Sequence, residues 1–124
     1  MTRVKRGCGL TDLFFMEWID LVSAEQVEKI KSESNDAPVL IFKHSTTCSI
    51  SAMAFHRLQR GSKNFKFKVY YLDLRAYREI SNLVATTFDV IHESPQVLII
   101  DKGKAVYNRS HMDINPAEIL EATS

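Results

Sequence analysis

Apolar residues along this chain follow two kinds of pattern, helical spacing and short continuous runs. A helix is predicted from Ser23, because Ser23 and Gln26 form an S-x-x-Q capping box, and it is expected to end near Ser34. Segment 39–42 is apolar at every position, as in a strand buried on both faces. A helix followed by a buried strand is therefore the first predicted unit.

The same patterns continue after a polar turn at 44–49. Apolar residues with helical spacing then predict a second helix that ends at Gly61. They are Ile50, Met53, Ala54 and Leu58. Segment 65–74 alternates and then becomes apolar, which predicts a second central strand. Helical spacing returns after it and predicts a third helix. Its positions are Tyr77, Ile80, Val84 and Phe88.

The last third of the chain predicts a hairpin and a terminal helix. Residues 97–100 and 104–107 indicate two strands joined by a tight turn. Asn115 is the expected cap of the last helix, with Pro116 at its first position and Glu118 completing a capping box.

The predicted order of elements is therefore α-β-α-β-α-β-β-α. Strands separated by helices imply right-handed parallel crossovers, and the closing hairpin adds an antiparallel pair. The fold class is α/β, with a central four-stranded mixed sheet flanked by helices on both faces, as in thioredoxin-like proteins. We expect residues 16–124 to form this single domain and residues 1–15 to be a flexible N-terminal extension.

Composition and charge argue against several classes of function. The chain has 124 residues, 45% of them hydrophobic and 25% charged, as in a globular domain with its own core. A net charge of +1 gives no reason to expect binding to nucleic acid or to a membrane surface. No stretch approaches the roughly 20 apolar residues of a membrane span. Two cysteines, Cys8 and Cys48, are too few for a disulfide framework, so a reducing, cytoplasmic location is expected.

Cys48 is the main candidate for chemistry, because it follows a buried strand and opens a helix. A helix N-terminus carries roughly half a positive charge and free N–H groups, which favour a thiolate. The hydroxyls of Thr47 and Ser51 are further possible donors to the sulfur. Such sites lower a cysteine pKa from about 8.5 to roughly 3.5–7.5. The alternative is a buried cysteine that acts as a small apolar residue, which is common for this residue type.

Pro95 is a second candidate, because it precedes the predicted strand at 97–100. A thioredoxin-like fold has a cis-proline at this position facing the active cysteine, although most X–Pro bonds are trans. A cis bond would leave the backbone of Ser94 open to an incoming peptide or thiol. His44 and His56 lack the tight spacing of a zinc motif, so no metal site is expected.

Four segments of the chain resemble the YtxJ-like monothiol bacilliredoxins of the thioredoxin superfamily. They are "WIDLVSAEQVEKI", "VLIFKHSTTCSIS", "HESPQVLII" and "SHMDI", and the resemblance extends from about Trp18 to Leu120. The family usually has Thr-Cys-Pro-Ile-Ser around its cysteine, whereas Ser49 replaces the proline here. Ser49 adds a backbone N–H near the sulfur.

The resemblance implies removal of bacillithiol, or a similar low-molecular-weight thiol, from S-thiolated client proteins. Cys48 would be the catalytic thiol, and a second small thiol would regenerate it, because Ser51 stands in the resolving position. Cys8 is an alternative resolving thiol that ranks below this route, because it lies in the predicted flexible extension. Three residues would support the thiolate: Thr47, Ser49 and Ser51. Four would bind substrate: Ser94, Pro95, Lys43 and His44. No bound cofactor is implied. Lys43 would offer its charge to the carboxylates on the malate end of bacillithiol, or would simply be solvated.

Two other functions remain open. One is a non-catalytic thioredoxin-fold binding module. The other is a different thiol-based reductase on the same fold, acting on arsenate or peroxide. Such a reductase usually needs arginine or threonine partners around the cysteine. Thr47 is present, but no arginine lies within segment 44–51, so this function ranks last. The sequence does not indicate the client proteins or the oligomeric state.

Overall fold

A five-stranded mixed sheet forms the centre of the computed structural model, which describes residues 18–123. Its strands are β1 (Trp18–Asp20), β2 (Val39–His44), β3 (Val69–Asp73), β4 (Gln96–Asp101) and β5 (Lys104–Ser110). They lie in the order β1-β3-β2-β4-β5, with β3 parallel to β1 and β2, and β4 antiparallel to β2 and β5. Strand β2 is therefore central, between β3 and β4.

Helices cover both faces of this sheet. Within residues 18–123 they are α1 (Ala24–Glu33), α2 (Ser49–Gly61), α3 (Arg78–Thr87) and α4 (Pro116–Ala122). Two short 3-10 turns lie at Ser62–Asn64 and His111–Asp113. Alternate residues of β2 enter opposite cores: Leu40 and Phe42 pack in the core of α2 and α4, and Val39 and Ile41 in that of α1 and α3. This layering confirms the predicted α/β class.

The sheet differs from the predicted one at its edges. Strand β1 was not predicted, because three residues are too few to show a pattern, yet Trp18 pairs with Val69. The predicted strand 65–74 is shorter, since Phe65 and Phe67 lie before β3 and stack with ring centroids 4.9 Å apart. Strand β5 continues past residue 107 to Ser110.

The cap of α1 formed as predicted. Ser23 Oγ accepts from Gln26 N at 3.3 Å, and Gln26 Oε1 accepts from Ser23 N at 3.2 Å. Gln26 also donates through Nε2 to the Asp20 carbonyl at 2.8 Å, which ties the helix to β1. The box thus fixes both the start of α1 and its position against the sheet edge.

The N-terminal cap of α4 agrees with the prediction only in part. Asn115 Oδ1 accepts from Ala117 N at 2.9 Å, and a proline occupies the first turn. The prediction that Glu118 completes a capping box was wrong. Its carboxylate accepts from the Tyr107 hydroxyl and pairs with Arg109 Nε at 3.0 Å, so it links α4 to β5 instead.

Gly61 is the last residue of α2, as predicted, but close packing explains its identity. Its φ of −79° is open to any residue. A Cβ at this position would lie 2.3 Å from Pro116 Cβ, closer than two carbon atoms can approach. Glycine is therefore required for the contact between α2 and α4.

Several expectations lie outside the described residues. They concern the extension at 1–15, the start of the domain at residue 16, and Cys8. Within residues 18–123, no helix is both long enough and apolar enough to span a membrane.

Candidate active site

Cys48 lies at the boundary between the central strand β2 and helix α2. It is the N-cap residue of α2, and its carbonyl accepts from Ala52 N at 3.0 Å in the first turn. Its own N–H donates to the Ser45 carbonyl at 3.2 Å, which closes the turn after β2. The side chain is half-buried and not in a disulfide. The thiol therefore stands at the helix start, where the sequence predicted it.

Ser51 holds the turn that carries Cys48. Its hydroxyl is fully buried, accepts from Ser45 N at 3.0 Å and lies 2.7 Å from His44 Nδ1. Both bonds lead to residues of β2 and its following turn. The predicted bond from Ser51 to the sulfur is not among them, so Ser51 positions the turn in this structure.

Ser51→Ala should therefore destabilise the protein. The substitution leaves the Ser45 N–H without its bond partner inside the protein, which costs about 1–3 kcal/mol. Denaturant unfolding monitored by circular dichroism measures this loss. The exposed neighbour Ser49→Ala is the matched control and should change stability by less than about 0.5 kcal/mol. Equal effects of the two variants would contradict the structural role of Ser51.

His44 is part of an aromatic cluster and not of the substrate-facing surface. Only 5% of the residue is exposed. Its ring packs against those of Phe42, Phe55 and Tyr71, with centroids 5.6, 5.0 and 5.7 Å away. The expectation that His44 binds substrate is corrected, because this packing closes its side chain off from solvent.

Lys43 also departs from its expected position. Its side chain is fully buried on the opposite face of the sheet, where Nζ donates to the Ser81 carbonyl and to His92 Nδ1, both at 3.2 Å. The ammonium is neither solvated nor placed to meet a small thiol beside α2. Burial lowers its pKa to about 8. Burial also lowers the pKa of His92, and the nearby charges of Lys43 and Arg78 lower it further.

Thr47 forms a contact that the sequence did not reveal. Its hydroxyl accepts from Arg75 Nη1 at 2.8 Å. Arg75 follows β3, and β3 runs parallel to β2 with His44 paired to Asp73. Residues just after two parallel neighbouring strands lie at the same edge of the sheet. The proximity of Arg75 to Thr47 could therefore have been predicted from the pairing of β2 with β3. Ser49, exposed at the start of α2, has no such partner on the described part of the chain.

The Ser94–Pro95 segment lies on the other side of Cys48. Gln96, the first residue of β4, pairs with Lys43, so this segment and the Cys48 turn share one sheet edge. The Ser94–Pro95 bond is cis, and the Pro95 carbonyl accepts from His111 N at 3.0 Å. Within residues 18–123, Ser94 makes no backbone hydrogen bond, and its buried hydroxyl has no partner.

Gln96 was missed by sequence reasoning although it shapes this segment. It is 1% exposed, donates through Nε2 to the Ile91 carbonyl at 3.0 Å, and accepts from Glu93 N at 3.4 Å. These bonds fold the chain before Ser94 back onto β4.

Among residues 18–123, no three His, Cys, Asp or Glu side chains gather as a metal site would require.

The chain is similar to known proteins in sequence and in fold. A family model described as monothiol bacilliredoxin BrxC matches residues 19–119. A solved structure described as a candidate oxidoreductase with a thioredoxin fold is 34% identical and has a TM-score of 0.77, covering 86% of this chain and 94% of its own.

Two thioredoxins show similarity of fold alone. Thioredoxin from Trypanosoma brucei brucei is 18% identical with a TM-score of 0.69, covering 86% of this chain and 88% of its own. Thioredoxin from Fasciola hepatica is 18% identical with a TM-score of 0.64, covering 84% and 94%. The predicted thioredoxin-like fold is confirmed, with one strand more than expected.

Proposed function

This chain belongs to the monothiol bacilliredoxin family, and we propose that it removes bacillithiol, or a similar low-molecular-weight thiol, from S-thiolated proteins through Cys48. Family membership and the thioredoxin-fold relatives support a thiol redox function. The YtxJ-like assignment, the client proteins and the small thiol as co-substrate belong to the proposal. So does a cytoplasmic site of action, where small thiols remain reduced.

One observation carries the monothiol mechanism: Cys48 caps α2 while the residue three places later is a serine. In CxxC-type proteins that position holds a resolving thiol, whereas Ser51 here uses its hydroxyl to hold the turn. Cys48 can therefore form a mixed disulfide but cannot close a disulfide with the resolving position. In the proposed monothiol mechanism, a second thiol molecule completes the reaction.

The proposed exchange has two balanced steps. The Cys48 thiolate attacks the sulfur of the small thiol within the mixed disulfide. A bond forms between Cys48 and the small thiol, while the bond to the client breaks and the client sulfur leaves as a thiolate. A second small thiol, as its thiolate, then attacks the adduct. This restores the Cys48 thiolate and releases the small thiol as its symmetrical disulfide.

Ser94 supports the proposal from the other side of the turn. Its backbone groups make no hydrogen bond within residues 18–123, and β4 places them at the sheet edge that carries Cys48. An extended segment of a client could pair with these groups and hold its disulfide beside the thiol.

The proposal is tested by following the adduct from one protein to the other. A bacillithiolated client is mixed with the reduced protein, and both are examined by intact-mass spectrometry. We expect the client to lose one bacillithiol and Cys48 to gain it, and free bacillithiol should then remove the adduct. A client that keeps its adduct under these conditions would overturn the proposal.

Arg75 makes the alternative reductase a second candidate. That function ranked last because segment 44–51 contains no arginine, but the structure brings Arg75 to Thr47, next to Cys48. Arsenate and peroxide should therefore be assayed beside the client, with Cys48→Ser as control. Cys48-dependent turnover of either oxidant, faster than thiol exchange, would favour this second function.

A further inference from the structure

We propose that Arg75 recognises a carboxylate of the small thiol, so that the protein selects acidic low-molecular-weight thiols. This inference rests on the proposed function and assigns the charge recognition that the sequence attributed to Lys43. Lys43 is buried on the other face of the sheet, whereas the Arg75 side chain is exposed beside the Cys48 turn.

The backbone at Arg75 is held in place against that turn. Leu74 N donates to the His44 carbonyl at 3.1 Å, so the chain after β3 starts in contact with the end of β2. Asp73 Oδ1 then accepts from Arg75 N at 3.1 Å and from Ala76 N at 3.4 Å. These bonds make a tight turn whose direction carries Arg75 toward Thr47.

The guanidinium reaches the residue next to the thiol and keeps most of its donors. Arg75 Nη1 donates to Thr47 Oγ1 at 2.8 Å. Thr47 directly precedes Cys48, and successive Cα atoms are about 3.8 Å apart, so Arg75 is bonded to the residue beside the thiol. No carboxylate of residues 18–123 forms an ion pair with Arg75, and Thr47 is the partner of its guanidinium.

A free guanidinium in this position suits one class of ligand. Its planar fork of N–H groups binds a carboxylate through two parallel bonds, and such charge-assisted bonds are stronger than neutral ones. A small thiol joined to Cys48 through its sulfur would extend along the protein surface. A carboxylate near its far end would meet Arg75, whereas a neutral thiol would gain nothing from this residue.

The test compares Arg75→Gln with Arg78→Gln on two substrates. Arg78 is also exposed and begins α3, but within residues 18–123 no contact joins it to the Cys48 turn, so its variant makes the same charge change without losing a bond to that turn. One client carries bacillithiol as its mixed disulfide, and the other carries 2-mercaptoethanol, which has no carboxylate. Arg75→Gln should raise KM for the first client about tenfold, the equivalent of one charged hydrogen bond.

The other measurements separate a loss of carboxylate recognition from a general loss of thiol-exchange activity. The kcat for the bacillithiol client and both constants for the 2-mercaptoethanol client should stay within about twofold. Arg78→Gln should leave all four values near those of the unchanged protein, and Arg75→Lys should restore part of the loss. Equal losses on both clients, or an equal loss in Arg78→Gln, would overturn the assignment.

A binding measurement keeps this inference separate from the proposed function. S-methyl bacillithiol cannot exchange, so its affinity for Cys48→Ser protein reports recognition without reaction. Adding Arg75→Gln should weaken that affinity about tenfold. If the protein transfers no thiol from either client, the proposed function fails. The affinity for S-methyl bacillithiol still decides whether Arg75 recognises the thiol. Unchanged affinity would overturn that role.

Discussion

Replacing Cys48 with serine should abolish transfer of bacillithiol from a modified client. A serine hydroxyl stays protonated near neutral pH and cannot form the mixed disulfide on which the exchange depends. We expect the rate of client release to fall to that of the client with free bacillithiol alone. The rate is measured by separating modified and unmodified client over time. No adduct should appear on the variant in intact-mass spectra.

Cys8→Ser is the matched control, because it removes the chain's other cysteine. A monothiol mechanism predicts that this variant exchanges thiols at the rate of the unchanged protein. Loss of activity in Cys8→Ser would indicate a two-cysteine route. Activity retained in Cys48→Ser would show that Cys48 is not the nucleophile.

Ser49→Pro tests the effect of the serine that stands where the family usually has a proline. The substitution restores the residue usual in the family, and proline suits the first position of a helix, which Ser49 occupies in α2. It also removes one backbone N–H beside the sulfur. The same client assay shows whether that N–H supports the thiolate, as the sequence suggested. Faster exchange in Ser49→Pro would argue against such support.

Local patterns were sufficient to predict the elements that carry the thiol. The apolar run of β2 and the helical spacing after it place Cys48 at a strand-to-helix junction, and the structure has it there. The caps at Ser23 and Asn115 also follow from residues a few positions apart. Interactions of this range are encoded within one short segment and can be predicted from it.

Contacts between distant segments decide the rest of the site. The face of α2 that enters the core contains Ser51, Ala54 and Leu58, whereas Ile50 is 40% and Met53 is 51% exposed. The apolar spacing alone did not separate these two groups, because apolar residues also occur on protein surfaces. Ser51 was placed beside the sulfur by its sequence position, but its bonds lead to Ser45 and His44.

Lys43 shows most clearly what sequence patterns omit. Its position at a strand end suggested solvent, because lysine is rarely buried. The α3 carbonyl of Ser81 and the ring of His92 provide partners for its ammonium, and they lie 38 and 49 residues away. A buried lysine could not be predicted without knowing that these groups meet β2.

Lys43 should make the stability of the protein depend on pH in a defined window. Its pKa is about 8 in the folded protein and 10.5 when exposed. Between these values the unfolded chain holds a proton that the folded protein lacks, so the free energy of unfolding rises with pH. A difference of this size corresponds to a gain of about 3 kcal/mol, complete near pH 10.5 and absent below pH 8.

Lys43→Met removes this titrating group while keeping a long side chain in the core. The free energy of unfolding is measured by urea denaturation from pH 7.5 to 10.5, and the variant's value is subtracted from that of the unchanged protein at each pH. The difference should rise by about 3 kcal/mol across the range, because groups common to both proteins cancel. The exposed Lys66→Met is the control and should give a flat difference. A flat difference for Lys43→Met as well would show that the folded protein keeps the Lys43 ammonium charged as readily as water does.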